Sequence, residues 1–412
     1  MKEERVNHQN QLRGRRIGIY TGSGTSHSWL WFVDVLEKAG VDNLTFLGED
    51  DIKKDGNLQT LDVLLLSGGD TFSIAEGLGG EGSEKIERFV AEGGIYFGSC
   101  AGAYLPMKSS KYPLNLMNLA GVKISNLSRL LPRPLIQSEK FCTPYGCDYV
   151  FHPVRDEVKI RCTNVYFPEE QFVAPLYGGP CMEPSEDATP VAYYSGFTDK
   201  TLFLVDEDLA RETVQGRIAV CSKTIGRGKL YLSGPHLEHP HYPTANRFLM
   251  EILSDGLKER KAFFHKRGES EERSEIPRDS FRKLKGELSG ARIIALALER
   301  ETMTWLIGKK VYEPEKFRVF IDALWSRINH LEKISWNGLS SETVQGLAAS
   351  AREVREKLKE LKSEMQTSTD TTGLVEAIIR ELRTLSSAFM NVYFGVKRGE
   401  NVQEEKSNVH VL

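Results

Sequence analysis

Short apolar runs that stop at glycines, each followed by an amphipathic stretch, constrain the fold of this chain more than any other feature of its sequence. Arg16-Ile17-Gly18-Ile19-Tyr20 is a β-rich run that stops at Thr21-Gly22-Ser23-Gly24. Ser28 to Ala39 then carries Leu30, Phe32, Val33, Leu36 and Ala39 at mixed spacings of three and four. That change of period is the signature of strand, glycine turn and helix. Asn43 to Leu47, Leu61 to Leu66 and Gly94 to Phe97 continue the strands, with a helix expected over Ser83 to Ala91. Val63-Leu64-Leu65-Leu66 has no polar alternation and suits a strand buried on both faces, as in a parallel sheet covered by helices. The expected fold class is α/β.

Beyond Met107 the helical signal weakens. Strands are expected at Glu157 to Cys162, Phe172 to Leu176, Thr189 to Tyr194, Thr201 to Val205 and Ile218 to Thr224. Gly226-Arg227-Gly228-Lys229 then makes a hairpin-like turn before Leu230-Tyr231-Leu232, so these strands elaborate the same domain. From about Asp255 proline becomes rare and helix formers take over. Four helices are expected, over Phe281 to Val311, Glu315 to Trp336, Ser341 to Met365 and Gly373 to Val396, forming an antiparallel bundle. A chain of 412 residues is also longer than the roughly 250 to 300 residues at which single cores stop growing. The expected organisation is a disordered tail over 1–15, an α/β domain over 16–254, a charged linker over 255–278, a helical bundle over 279–397 and a polar tail over 398–412.

A net charge of −3 supplies no general attraction to nucleic acid or to an anionic membrane, so neither is an expected partner. The basic start is followed by no apolar run of a signal peptide, and no stretch of about 18 apolar residues occurs, so the expected location is cytoplasmic. The six cysteines, Cys100, Cys142, Cys147, Cys162, Cys181 and Cys221, are then expected as free thiols. Cys142, Cys147, Cys162 and His152 form a conceivable zinc set, which gives way to a reading as core and loop thiols. No metal and no cofactor is expected.

Gly98-Ser99-Cys100-Ala101-Gly102 places a cysteine where a strand ends and small residues begin a helix. G-x-C-x-G has the mechanics of a nucleophile elbow: glycines relieve crowding, the side chain projects from the sheet edge, and the next N–H can face an oxyanion. A helix N-terminus beneath the sulfur also favours the thiolate. Ser67-Gly68-Gly69-Asp70 ends the preceding strand at the same sheet edge, making the N–H groups of Gly69 and Ala101 the candidate oxyanion donors. Downstream, Ser233-Gly234-Pro235-His236-Leu237-Glu238 follows another strand. His236 is the candidate base and Glu238 the residue that orients it. His239 and His241 are read as loop histidines.

The segments GGIYFGSCAGAYL, SGGDT and YLSGPHLE together resemble the class I glutamine amidotransferase-like superfamily, and most closely the biotin-protein ligase N-terminal domain family. The resemblance covers Arg16 to Leu253 and implies a flavodoxin-like α/β sandwich with a nucleophile at Cys100 and a His-x-Glu pair at His236 and Glu238. Tyr177-Gly178-Gly179-Pro180 resembles that family's Gly-Gly-Pro segment near the site, which adds Gly179 to the candidate substrate contacts with Gly68 and Tyr104. Tyr104 stands where glutamine-hydrolysing relatives carry Gln, Leu237 stands where they carry Pro, and no ligase module is visible. The implied function is acyl transfer through a Cys-His-Glu triad on a small amide or related carbonyl substrate. Two alternatives stand beside it. One is a peptidase resembling peptidase E, whose members use Ser at the position of Cys100. The other is a catalytically silent ligand-binding scaffold that finds a protein partner, or itself, through its C-terminal helices.

Overall fold

The computed structural model describes residues 11–126, 150, 152–163, 167, 170–257, 278–331, 340–367 and 370–409. The chain divides into two compact units, Met1–Val41, Leu47–Lys261 and Gly308–Lys310 in the first, Asp42–Phe46, Ala262–Ile307 and Val311–Leu412 in the second.

In chain order the first elements are β1 (Ile17–Tyr20), α1 (Trp29–Lys38), β2 (Leu44–Leu47), α2 (Glu49–Lys53), β3 (Val63–Leu66), α3 (Thr71–Ala91), β4 (Ile95–Ser99) and α4 (Ala101–Tyr104). There follow β5 (Val154–Cys162), β6 (Gln171–Leu176), β7 (Thr189–Phe203), α5 (Glu207–Val214), β8 (Ile218–Ile225), β9 (Gly228–Ser233) and α6 (Pro243–Leu257). One nine-stranded sheet runs β2-β1-β3-β4-β9-β8-β7-β5-β6. The pairs β1/β3, β3/β4 and β4/β9 are parallel. From β9 outward through β8, β7, β5 and β6 every pair is antiparallel. Every residue of β1, β3 and β4 is buried, which explains why their sequences carry no polar alternation.

Two elements differ from the sequence-based expectation. Helix α3 begins twelve residues before Ser83, at Thr71, capped by Asp70, whose Oδ1 accepts from the N–H groups of Phe72 (3.0 Å) and Ser73 (3.3 Å). A kink at Gly79 (φ 59°, ψ −167°) breaks the helical period there and hides the first half of the helix from a periodicity count. The strands expected at Thr189 to Tyr194 and Thr201 to Val205 are one strand, β7. Register shifts against β5 absorb the irregularity around Gly196, and the Thr198 N–H is held by Thr201 Oγ1 at 2.9 Å.

Beyond the nine-stranded sheet and α6, α7 (Arg278–Leu298) is followed by β10 (Trp305–Ile307), β11 (Lys310–Tyr312), α8 (Glu315–Leu331), α9 (Ser341–Glu364) and α10 (Thr372–Val409). Leu284, Leu288, Ala291, Ala295 and Leu298 of α7 are buried at spacings of three and four, as are Val344, Leu347, Ala351, Val354, Leu358 and Leu361 of α9. Helix α7 packs on α8 and α9, and α10 packs on the same two. The helix expected over Phe281 to Val311 stops at Leu298. Beyond it, β-forming Trp305, Leu306, Ile307, Val311 and Tyr312 flank Gly308, whose φ of 60° suits a tight turn, and they pair as a hairpin. Helix α10 runs through Arg398, where a polar tail was expected. The expected break at Asn337-Gly338 and Trp336 lie outside the described residues. Among the described residues, no helix is long and apolar enough to cross a membrane.

Candidate active site

Cys100 occupies the junction of β4 and α4 with φ 51° and ψ −110°, a backbone conformation that a residue bearing a Cβ adopts at a cost of about 1 to 3 kcal/mol. The surrounding hydrogen bonds over-determine it. Cys100 N–H donates to Ser233 O (2.9 Å), one step past the Ser99–Ser233 pair that ends the β4/β9 ladder. Gly102 N–H donates to Ser67 O (3.1 Å) at the end of β3. The flanking glycines are required by contact: a Cβ on Gly98 would lie 2.2 Å from Gly102 O, and one on Gly102 would lie 2.3 Å from Leu66 O. Both obstacles are backbone, so Gly102→Ala is expected to separate α4 from β3 and destabilise the unit by about 3 kcal/mol, read as a fall in melting temperature. Helix α4 is four residues long, so its contribution to the field at the sulfur is that of one turn.

Past β9 the chain is pinned by Gly234 N–H to Ala219 O (2.8 Å) and His236 N–H to Pro175 O (2.9 Å). Asn246 Nδ2 donates to the carbonyls of Leu237 (2.8 Å) and His239 (2.9 Å). Leu237, between His236 and Glu238, is fully buried. This loop brings His236 Nδ1 to 2.7 Å from Glu238 Oε1. Cys100, His236 and Glu238 are 8%, 3% and 0% exposed, so all three are shielded from bulk water. Burial opposes a charge on His236, but the Glu238 carboxylate and the Cys100 sulfur, both hydrogen-bonded to the imidazole, outweigh it and raise its pKa to about 10. With Nδ1 engaged by Glu238, the bond to sulfur falls to Nε2.

The other candidate residues surround this group. A Cβ on Gly68 would sit 2.8 Å from His236 Cε1, so Gly68 makes room for the imidazole, and its carbonyl is held by Ser26 N–H (3.0 Å) and Ser28 Oγ (3.3 Å). Gly69 lies against Gly24, whose carbonyl would be 2.2 Å from a Cβ there. Neither Gly69 N–H nor Ala101 N–H makes a hydrogen bond among the described residues. Gly179 abuts Gly234, with Gly234 O 1.8 Å from a hypothetical Cβ, so the Gly-Gly-Pro segment packs directly on the loop that carries His236. Tyr104 Oη donates to Gly178 O (3.2 Å), tying the residue at the Gln position to that same segment.

Two neighbours carried no signal in the sequence. Trp31, on α1, meets the His236 ring edge-to-face at 5.2 Å and the His239 ring at 4.4 Å, while Tyr177 lies 5.7 Å from His236. Ser99 Oγ donates to Glu238 Oε1 at 2.6 Å. His241 touches the ring of His239 at 5.2 Å. Cys142 and Cys147 lie outside the described residues, whereas Cys162 is a buried free thiol.

The family model for the N-terminal region of biotin-protein ligase matches residues 16–289 of this chain. The chain belongs to that family. Its biotin-protein ligase N-terminal region thus takes in the whole sheet, the loop of His236 and Glu238, and the first half of α7. An uncharacterized protein of Chlamydia muridarum (strain MoPn / Nigg) is 26% identical over 184 residues, 44% of this chain and 62% of that protein. The match therefore spans less than two thirds of that relative's length. Among solved structures, a glutamine amidotransferase is similar at a TM-score of 0.37 and 15% identity, covering 58% of this chain and 98% of that one. The beta-galactosidase of Bacillus circulans sp. alkalophilus is similar at 0.34 and 14%, covering 60% and 31%. Both TM-scores lie below 0.5, so the family match alone decides the assignment.

Proposed function

We propose that this biotin-protein ligase N-terminal family member is a cysteine-dependent acyl-transfer enzyme acting on a small amide or related carbonyl compound. The observation that carries the proposal is the buried, hydrogen-bonded series from the Cys100 sulfur through His236 to Glu238. His236 Nε2 takes the proton of Cys100. Sγ attacks the carbonyl carbon, forming a C–S bond while the carbonyl electron pair moves to oxygen, where the Gly69 and Ala101 N–H groups receive it. The tetrahedral intermediate collapses by breaking the C–N bond, and His236 Nε2 gives its proton to the departing amine. Water or an amine then attacks the thioester, His236 takes up its proton, and the acyl product leaves with the thiolate restored. Glu238 holds the imidazole in one tautomer and offsets its charge throughout. The proposal includes a cytoplasmic location, supported by Cys100, Cys162, Cys181 and Cys221 all being free thiols.

Exposure to p-nitrophenyl acetate and a panel of small primary amides, followed by peptide mass spectrometry, tests the mechanism. An acyl group is expected on Cys100, labile to hydroxylamine and absent from Cys100→Ala. A wild-type protein that stays unmodified, or one acylated equally at another thiol, would sink the proposal in favour of a ligand-binding role.

A further inference from the structure

Glu238 is fully buried, and its two oxygens are treated unequally. Oε1 accepts two short hydrogen bonds, from His236 Nδ1 at 2.7 Å and from Ser99 Oγ at 2.6 Å, whereas Oε2 has no partner among the described residues. A carboxylate taken out of water is stabilised as the anion by each donor that replaces a water. Here Ser99 is the donor that carries no charge of its own. Ser99 is itself 0% exposed and is the last residue of β4, paired with Ser233 of β9, so its hydroxyl is delivered from a fixed backbone. Strand geometry would point Ser99 and Cys100 to opposite faces. The φ of 51° at Cys100 cancels that alternation, and consecutive residues reach the two ends of one hydrogen-bonded series.

We infer that Ser99 is a positioning residue of this site: its hydroxyl anchors Oε1 of Glu238, so that this oxygen is kept on His236 Nδ1. The inference rests on the triad proposed above. Without the hydroxyl the carboxylate turns about its last torsion, its negative charge loses a donor, and its hold on the imidazole proton weakens. The effect reaches the sulfur through His236, since Ser99 touches no reacting atom.

The readout is the pH profile of Cys100 alkylation by iodoacetamide in the full chain, compared among wild type, Ser99→Ala, Ser99→Thr and Glu238→Gln, with a thermal melt of each to establish folding. Ser99→Ala is expected to melt cooperatively, to move the midpoint of the profile upward by about one pH unit and to cut the rate on the acid side of that midpoint about 10-fold, the loss of one charge-assisted hydrogen bond. Ser99→Thr, which keeps a hydroxyl, should return the midpoint towards wild type. If Ser99→Ala superimposes on wild type while Glu238→Gln shifts the profile, or if Thr shifts it as far as Ala, Ser99 acts only by packing and the inference falls while the triad stands. If Glu238→Gln also leaves the profile unmoved, the triad itself falls and the inference with it.

Discussion

Alkylation of Cys100 at pH 6 should slow roughly 100-fold when His236 is replaced by alanine. An unpaired thiol, with a pKa near 8.5, is about 0.3% thiolate at that pH. Glu238 and the Cys100 sulfur raise the pKa of His236 to about 10, so the wild-type sulfur faces a base and counter-charge that the alanine variant lacks. Catalytic thiols paired with an imidazole are commonly lowered by one to several pH units, and the lower intrinsic nucleophilicity of a stabilised thiolate holds the net effect to about two orders of magnitude. Iodoacetamide labelling resolved by peptide mass spectrometry separates Cys100 from Cys162, Cys181 and Cys221, which serve as internal controls. Burial pushes the thiols of Cys181 and Cys221 up to about 12, so they stay inert in both proteins. Equal labelling of Cys100 with and without His236 would show that no ion pair exists.

The largest stability effect is expected at Glu238. Its replacement by alanine leaves His236 buried beside an empty site. Removing one member of a buried pair costs about 3 to 5 kcal/mol, a fall in melting temperature of roughly 10 °C for a unit of this size. The pH dependence gives a second handle. His236 carries a folded pKa raised from 6.5 to about 10, so its contribution is complete below pH 6.5 and is lost as the pH rises through 10. Wild-type melting temperature should therefore decline across that alkaline window. In Glu238→Ala the decline should be much shallower, because the charge that holds the proton is gone. A variant that keeps the full alkaline slope would place its origin elsewhere.

Much of this architecture is legible in the residues, for identifiable reasons. Val63 to Leu66 and Ile95 to Ser99 lie inside a sheet covered on both faces, so their composition alone announces strands. Gly98 and Gly102 announce the elbow because backbone carbonyls occupy the space that their side chains would need. His236 and Glu238 stand out as polar residues just past an apolar run. Ser99, by contrast, looks like a small filler beside the cysteine. Its partner lies 139 positions away and is chosen by the β4/β9 register, which no local pattern encodes. Trp31 reads as one more apolar residue of α1. The hairpin of β10 and β11 escaped for the opposite reason, since its leucine and isoleucine continue the spacing of α7 far enough to mimic a longer helix.

The position of β9 between β4 and β8 has a consequence for the order of events on the ribosome. Synthesis delivers the elbow at residue 100 long before the strand that completes its flank, and the chain from β5 to β8 is made while that flank of β4 is still empty. Under the proposed mechanism His236 and Glu238 reach Cys100 only when β9, the last strand of the sheet to be made, enters between β4 and β8, so an unfinished chain holds the elbow without its base.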